Sequence, residues 1–120
     1  MATLQRIAPI FAVHDVDAAL AHYRRLGFAV RAYAGEYRYG FASRDGIEIH
    51  LGEPSGDHQI SSAYLFVDDA DGLAAEWRSA GVAVHLPEDT EWGQHEGSIV
   101  DPDGNVIRFG SPMPTAVVAG

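Results

Sequence analysis

Few side chains in this chain are equipped for chemistry. It holds six histidines, 17 acidic residues against eight basic ones, and no cysteine. Without cysteine there is no disulfide, no thiolate zinc site and no Cys nucleophile. No serine lies in a nucleophile-elbow pattern, and no glycine-rich phosphate loop opens a helix. The best-placed pair is Glu48 and His50, two residues apart in the strand-like run Ile47 to Leu51. Period-two alternation puts both on one face, with Ile49 and Leu51 on the other, and sets Arg108 opposite Ile107 and Phe109. A catalytic divalent site needs about three His, Asp or Glu donors and an open position. Glu48 and His50 fall short unless His95 or Glu96 swings in from a loop. His14, His22, His58 and His85 fall on strand ends, a helix surface or a linker, where solvated side chains are expected.

A second group is aromatic. Tyr37, Tyr39 and Phe41 alternate as a stripe, the pattern of either a core face or a binding surface. Trp92 stands beside Gly93 in a hydrophilic stretch, a placement unusual for a core residue.

The elements that must position these residues follow from periodicity and turn chemistry. Ile7 to Val13 reads as a strand, and Pro9 confines it to an edge or an irregular pairing because proline has no N–H. Asp15-Val16-Asp17 starts a helix bearing Leu20, Tyr23 and Leu26, and Gly27 stops it. Strands are predicted over 28–33, 37–43 and 47–51, with turns at Ala34-Gly35-Glu36 and Arg44-Asp45-Gly46. Glu53 to Asp57 is a polar, breaker-rich linker. The order then repeats: a strand over 62–67, a helix opened by Asp69-Ala70-Asp71 and closed at Gly81, and strands over 82–86, 97–100 and 106–109. An offset of 54 pairs Asp15 with Asp69, Tyr23 with Trp77 and Gly27 with Gly81. An offset of 58 pairs Asp45-Gly46 with Asp103-Gly104 and His50 with Arg108. The second copy thus holds about four extra residues, assigned to a loop over 87–95.

At 120 residues, 47% of them hydrophobic, the chain is expected to form one ordered domain. Within it, module one spans about 5–54, a linker 55–60 and module two about 61–112, with a loose tail over 113–120. No apolar run reaches the length of a membrane span, and no basic-then-apolar leader opens the chain, so a cytoplasmic protein without a membrane partner is expected. The net charge of −9 disfavours nucleic acid and suits a cationic ligand.

Two βαβββ modules carrying Tyr23-Arg24-Arg25-Leu26-Gly27-Phe28 and Asp101-Pro102-Asp103-Gly104-Asn105 resemble the vicinal oxygen chelate superfamily. That group includes glyoxalase I, extradiol dioxygenases and bleomycin-resistance proteins. The resemblance implies an α+β fold in which two tandem βαβββ modules form curved mixed sheets around a concave cleft. Glu91-Trp92-Gly93 and Val106-Ile107-Arg108-Phe109-Gly110 look like the bleomycin-resistance branch in particular.

Matched to that family, the metal-ligand places are Ala8, His50, Ser62 and Arg108. Of these only His50 is a metal donor, and a guanidinium puts positive charge where the cation would sit. The resemblance therefore implies no metal, no cofactor and no catalytic residue, but a binding protein that sequesters a planar cationic antibiotic of the bleomycin type. Tyr39 and Trp92 match the pair of rings that stack on the flat part of such a drug. Ser62 and Tyr64, with Phe66, line the same face of a strand, and His50, Glu48 and Arg108 complete the expected ligand site. Glu36, Asp89, Glu91 and Glu96 are rim candidates for a cationic tail, and Glu48 or a ligand oxygen is the expected partner of Arg108. The branch further implies a homodimer. The alternatives are a metal-dependent lyase, isomerase or dioxygenase of the superfamily, or a binder of another flat aromatic compound.

Overall fold

A computed structural model describes residues 1–113. Its elements are β1 (Ile10–Ala12), α1 (Val16–Arg25), β2 (Ala29–Ala32), β3 (Tyr39–Arg44) and β4 (Ile47–Gly52), followed by β5 (Ser62–Phe66), α2 (Ala70–Ser79), β6 (His85–Asp89), β7 (Gln94–Val100) and β8 (Val106–Pro112). The βαβββ order occurs twice, as expected. Two compact units result: Met1–Ser61 with Pro102–Asn105, and Ser62–Asp101 with the strand β8.

The first unit has sheet order β1-β4-β3-β2, and the second has β5-β8-β7-β6. In each, the first strand runs parallel to the last while the other pairs are antiparallel. Pro9 stands just before the edge strand β1, where its carbonyl accepts from the His50 N–H at 2.9 Å. Proline thus contributes only the group it has.

Both helices begin and end alike. The Asp15 and Asp69 side chains accept from amides of the first turn, which have no partner inside the helix. Gly27 and Gly81 follow the last turns at φ +89° and +85°, the left-handed conformation that glycine enters without a Cβ penalty. The matched residues Tyr23 and Trp77 are fully buried. Tyr23 meets Phe28 edge-on at 5.9 Å, and Trp77 meets Phe109 at 5.2 Å. Each sheet therefore packs one face on its own helix and leaves the other for side chains with different work.

Three local expectations change. The extra residues of the second copy do not make a long loop over 87–95. They spread into the Val82–Val84 run ahead of β6, longer β6 and β7 strands, and the residues before the Gly104 turn, leaving a connection of only Thr90–Gly93. Pro87 falls within β6, where the ladder slips between His85 and Glu88, as a residue without an N–H requires. His95 and Glu96 accordingly lie on a strand and not on a loop. Tyr37 leaves the predicted stripe, because β3 begins at Tyr39. His22 is buried and His58 stacks on His14 at 4.1 Å, so neither is a freely solvated side chain.

The Asp101-Pro102-Asp103-Gly104-Asn105 segment is structural. Asn105 is completely buried, accepting from Ser61 N–H at 2.9 Å and donating to Ala12 O at 2.8 Å. Asp103 accepts from the His14 backbone N–H at 2.8 Å. Met113 donates to Gly93 O at 2.9 Å. The rest of the expected loose tail, residues 114–120, lies outside the described residues.

Candidate functional site

In the first unit the free face of β3 and β4 carries Tyr39, Phe41, Glu48 and His50. Phe41 lies directly opposite His50 in the antiparallel ladder, so their rings meet edge-on at 4.9 Å, and Tyr39 meets each of them at 5.4 Å. The opposite face holds Ala42, Ile49 and Leu51, all buried. Gly40 is on that buried side, and a Cβ there would press into Leu20 and Val16 of α1.

A chain of polar contacts runs across the free face. Tyr39 Oη lies 2.8 Å from His50 Nδ1, His50 Nε2 lies 2.6 Å from Glu48 Oε1, and Arg6 donates to Glu48 Oε2. A neutral imidazole has one N–H and one acceptor nitrogen. The carboxylate can only accept, so His50 donates from Nε2 and receives the Tyr39 O–H at Nδ1. Burial, reinforced by the negative charge of Glu48, raises the Tyr39 pKa and keeps that proton on the phenol. The bond from His50, joined by Arg6, holds Glu48 below the usual carboxylate range despite burial.

Both ring nitrogens of His50 are therefore engaged, and metal ligation would have to displace Tyr39 or Glu48. Among the described residues there is no cluster of three or more His, Asp or Glu placed to hold a metal ion. Ala8, Ser62 and Arg108 offer no anionic donor, so a divalent ion does not fit this donor set.

Beside the Tyr39 ring lies a concavity of about 360 Å³ lined by Tyr33, Tyr37, Arg38, Tyr39, Phe41 and Glu53. Arg38 bonds Glu53 at 3.0 Å and both Asp15 and Asp17 at 3.3 Å, which fixes it as part of the wall. Those bonds, Glu53 foremost, raise its already high pKa. Tyr33 and Tyr37, 6.3 Å apart, and Arg31, whose guanidinium lies 3.9 Å from the Phe41 ring centroid, belong to this surface. Sequence reasoning placed Tyr37 in the aromatic stripe but did not single out Tyr33 or Arg31. The available signal was the aromatic pair flanking Ala34-Gly35-Glu36.

In the second unit the corresponding face is built from cross-strand rows. Tyr64, Arg108 and Ser98 align across β5, β8 and β7, and the next row is Phe66, Gly110 and Glu96. Ser62 opens the same face of β5. Arg108 donates from Nε and Nη2 to Glu96 Oε2, at 3.0 and 2.6 Å. Its partner is thus Glu96 and not the expected Glu48, which Arg6 and His50 occupy. Glu96 also accepts at Oε1 from Trp92 Nε1–H, at 3.1 Å. Burial pushes the Glu96 carboxyl upward, but the bonds from Arg108, Tyr64 and Trp92 together bring it below its ordinary value.

The Trp92 ring stands on the Thr90–Gly93 connection, 61% exposed, next to Gly93 at φ +83°. A concavity of about 340 Å³ lies among Asp89, Trp92, Glu96, Ser98 and Arg108. Gly110 is bare for a reason: a Cβ there would collide with the Tyr64 hydroxyl. That hydroxyl and Gln94 Oε1 are both buried without a fully formed hydrogen bond. Burial, followed by the bond and negative charge of Glu96, pushes the Tyr64 phenol upward.

On the other face of β7, His95 contacts Asp89 through Nδ1 and Asp71 through Nε2, each at 2.8 Å. Those two carboxylates, Asp71 foremost, raise the His95 pKa. Of the four rim candidates, Asp89 is already bonded to His95 and Glu96 to Arg108, while Glu36 and Glu91 are exposed. The predicted ligand residues thus form two groups, Tyr39, His50 and Glu48 in one unit, and Trp92, Arg108, Tyr64 and Ser62 in the other.

Comparison with known proteins adds the following. Residues 3–109 match the family model described as the Glyoxalase/Bleomycin resistance protein/Dioxygenase superfamily. A bleomycin resistance protein of Klebsiella pneumoniae is 26% identical over 106 residues, 79% of this chain and 82% of that protein. A bleomycin resistance determinant encoded on the transposon Tn5 superposes with a TM-score of 0.79 at 25% identity, covering 91% of this chain and 98% of that one. A bleomycin-binding protein complexed with bleomycin superposes with a TM-score of 0.76 at 26% identity, covering 90% and 98%.

Proposed function

Because the chain belongs to the glyoxalase/bleomycin resistance protein/dioxygenase superfamily, we propose that it binds and sequesters a planar, cationic antibiotic of the bleomycin type without transforming it. The observation that carries this reading is the Tyr39–Phe41–His50 cluster. Its rings are available for stacking, while each hydrogen-bonding atom of His50 is already used. A surface that offers π-faces but no free imidazole nitrogen suits holding a flat molecule better than activating one. The similarity to a bleomycin-binding protein supports the same choice of ligand.

In this reading Tyr39 and Trp92 contribute the stacking rings, each worth about 0.5–1.5 kcal/mol beyond the apolar area it covers. Ser62, Tyr64, His50, Glu48 and Arg108 supply the polar surroundings. The protein acts in the cytoplasm as a homodimer. Exposed Leu4, Ile7 and Ile10, in and just ahead of the edge strand β1, support self-association. The net charge of −9 favours a cationic ligand over nucleic acid.

Calorimetric titration with bleomycin tests the assignment. Tyr39→Ala and Trp92→Ala are each expected to weaken binding about tenfold or more, since they remove stacking together with buried apolar area. Unchanged affinity in both would sink the stacking reading. Stoichiometric metal in protein purified without chelator would redirect it to a lyase, isomerase or dioxygenase of the same superfamily. Sedimentation velocity tests the dimer.

A further inference from the structure

We infer that Glu96 is the positioning residue for the Trp92 indole, and that Arg108 acts through Glu96 by fixing its carboxylate from the neighbouring strand. Beyond its place in the polar surroundings of the ligand, Arg108 then has a second task. It anchors a relay that ends on an exposed ring.

Trp92 is far too exposed for packing alone to hold its two side-chain torsions. The ring has one polar atom, a donor, and that donor goes to Glu96 Oε1. Glu96 lies on β7, between β8 and β6, and Arg108 lies on β8, between β5 and β7. Both are therefore on strands laddered along both sides. The side chain of Glu96 is only 12% exposed, and Arg108 grips its second oxygen with two N–H groups. The exposed connection thus borrows its order from the two central strands of the sheet.

Two consequences follow. The first is that Glu96 is not a free rim anion for a cationic tail, since Arg108 already balances its charge. The second is that the indole is held in one orientation before any ligand arrives. Freezing a rotamer-rich side chain on binding typically weakens affinity about two- to tenfold. Given the reading that Trp92 stacks on the ligand, prior ordering by Glu96 removes that factor.

The chain's two tryptophans make the test direct. In protein labelled with ¹⁵N, only Trp77 and Trp92 give indole signals, and the buried Trp77 serves as internal reference. The heteronuclear NOE of the Trp92 indole is expected to match β7 backbone amides in the unliganded protein. In Glu96→Ala it should fall toward the value of a free side chain, with Trp77 unmoved. Glu96→Gln keeps an acceptor oxygen and should restore most of the order. A Trp92 indole as mobile in the native protein as in Glu96→Ala overturns the inference, as does a Glu96→Gln protein indistinguishable from the alanine variant.

Titration with bleomycin separates this inference from the functional reading. Affinity in Glu96→Ala should drop two- to tenfold, less than in Trp92→Ala. If Glu96 orders the indole while Trp92→Ala leaves affinity intact, the positioning inference stands and the stacking reading falls.

Discussion

The two units share one topology but treat matched places differently. The offset that equates Asp45-Gly46 with Asp103-Gly104 also equates His50 with Arg108. In the first unit an aromatic residue reaches a carboxylate through histidine: Tyr39 to His50 to Glu48, with Arg6 closing the chain. In the second, Trp92 reaches Glu96 directly, and Arg108 closes the chain. Each unit therefore ties an aromatic ring to a charge-balanced glutamate. Relative to the matched His50 and Arg108, the glutamate comes from the same strand, β4, in one case and from the neighbouring strand, β7, in the other. One sheet face can thus be specialised from a common topology by moving a single carboxylate across a ladder.

The largest test of that comparison concerns the matched core. Trp77→Ala should cost about 3–5 kcal/mol, and Tyr23→Ala somewhat less because the deleted side chain is smaller. Urea unfolding of both variants measures the difference, and equal losses would show that the two helices are anchored to the same degree.

Next in size is Asn105, whose counterpart at the same offset is the half-exposed Ile47. Asn105→Ala leaves the Ser61 N–H and Ala12 C=O without their partner and should cost about 2–4 kcal/mol. Ile47→Ala should cost well under about 1 kcal/mol. A comparable loss at both sites would mean that the asymmetry between the two turns carries no energy.

A smaller effect is expected from Arg108→Ala. It removes charge-assisted bonds to a largely buried carboxylate, but Arg108 itself is partly solvated, so the loss should be about 1–2 kcal/mol by thermal unfolding. Less stability should also be lost on acidification in that variant, because without Arg108 the folded-state pKa of Glu96 is no longer held as far below its unfolded value.

The smallest involves His95, which lies between Asp71 and Asp89. Its pKa is raised on folding, so its contribution is complete below the unfolded value of about 6.5 and fades as pH rises through the higher folded value. Exposure of both carboxylates keeps this near half a kcal/mol. His95→Ala should flatten the pH dependence of stability across that window, and an unchanged slope would show that the bracket is fully screened.

Much of this was legible in advance because it is encoded locally. Asp15 and Asp69 announce helix starts, Gly27 and Gly81 announce stops, and alternation separated Ile49 from His50 and Ile107 from Arg108. The Thr90–Gly93 connection was less legible, since the strand-or-loop choice for His95 and Glu96 depends on ladder bonds with distant residues. The Pro87 slip likewise needed a partner strand before it had meaning.

The repeated βαβββ order, the caps and turns, and the division of side chains between faces are written into short stretches of chain, because torsional preference and periodicity act over a few neighbouring residues. Who pairs with whom is settled by the assembled sheets: Glu96 for Arg108, Tyr39 and Glu48 for His50, Asn105 for Ser61 and Ala12. Those choices depend on ladder register, side-chain reach and the loss of water around each charge, which no local stretch of chain contains.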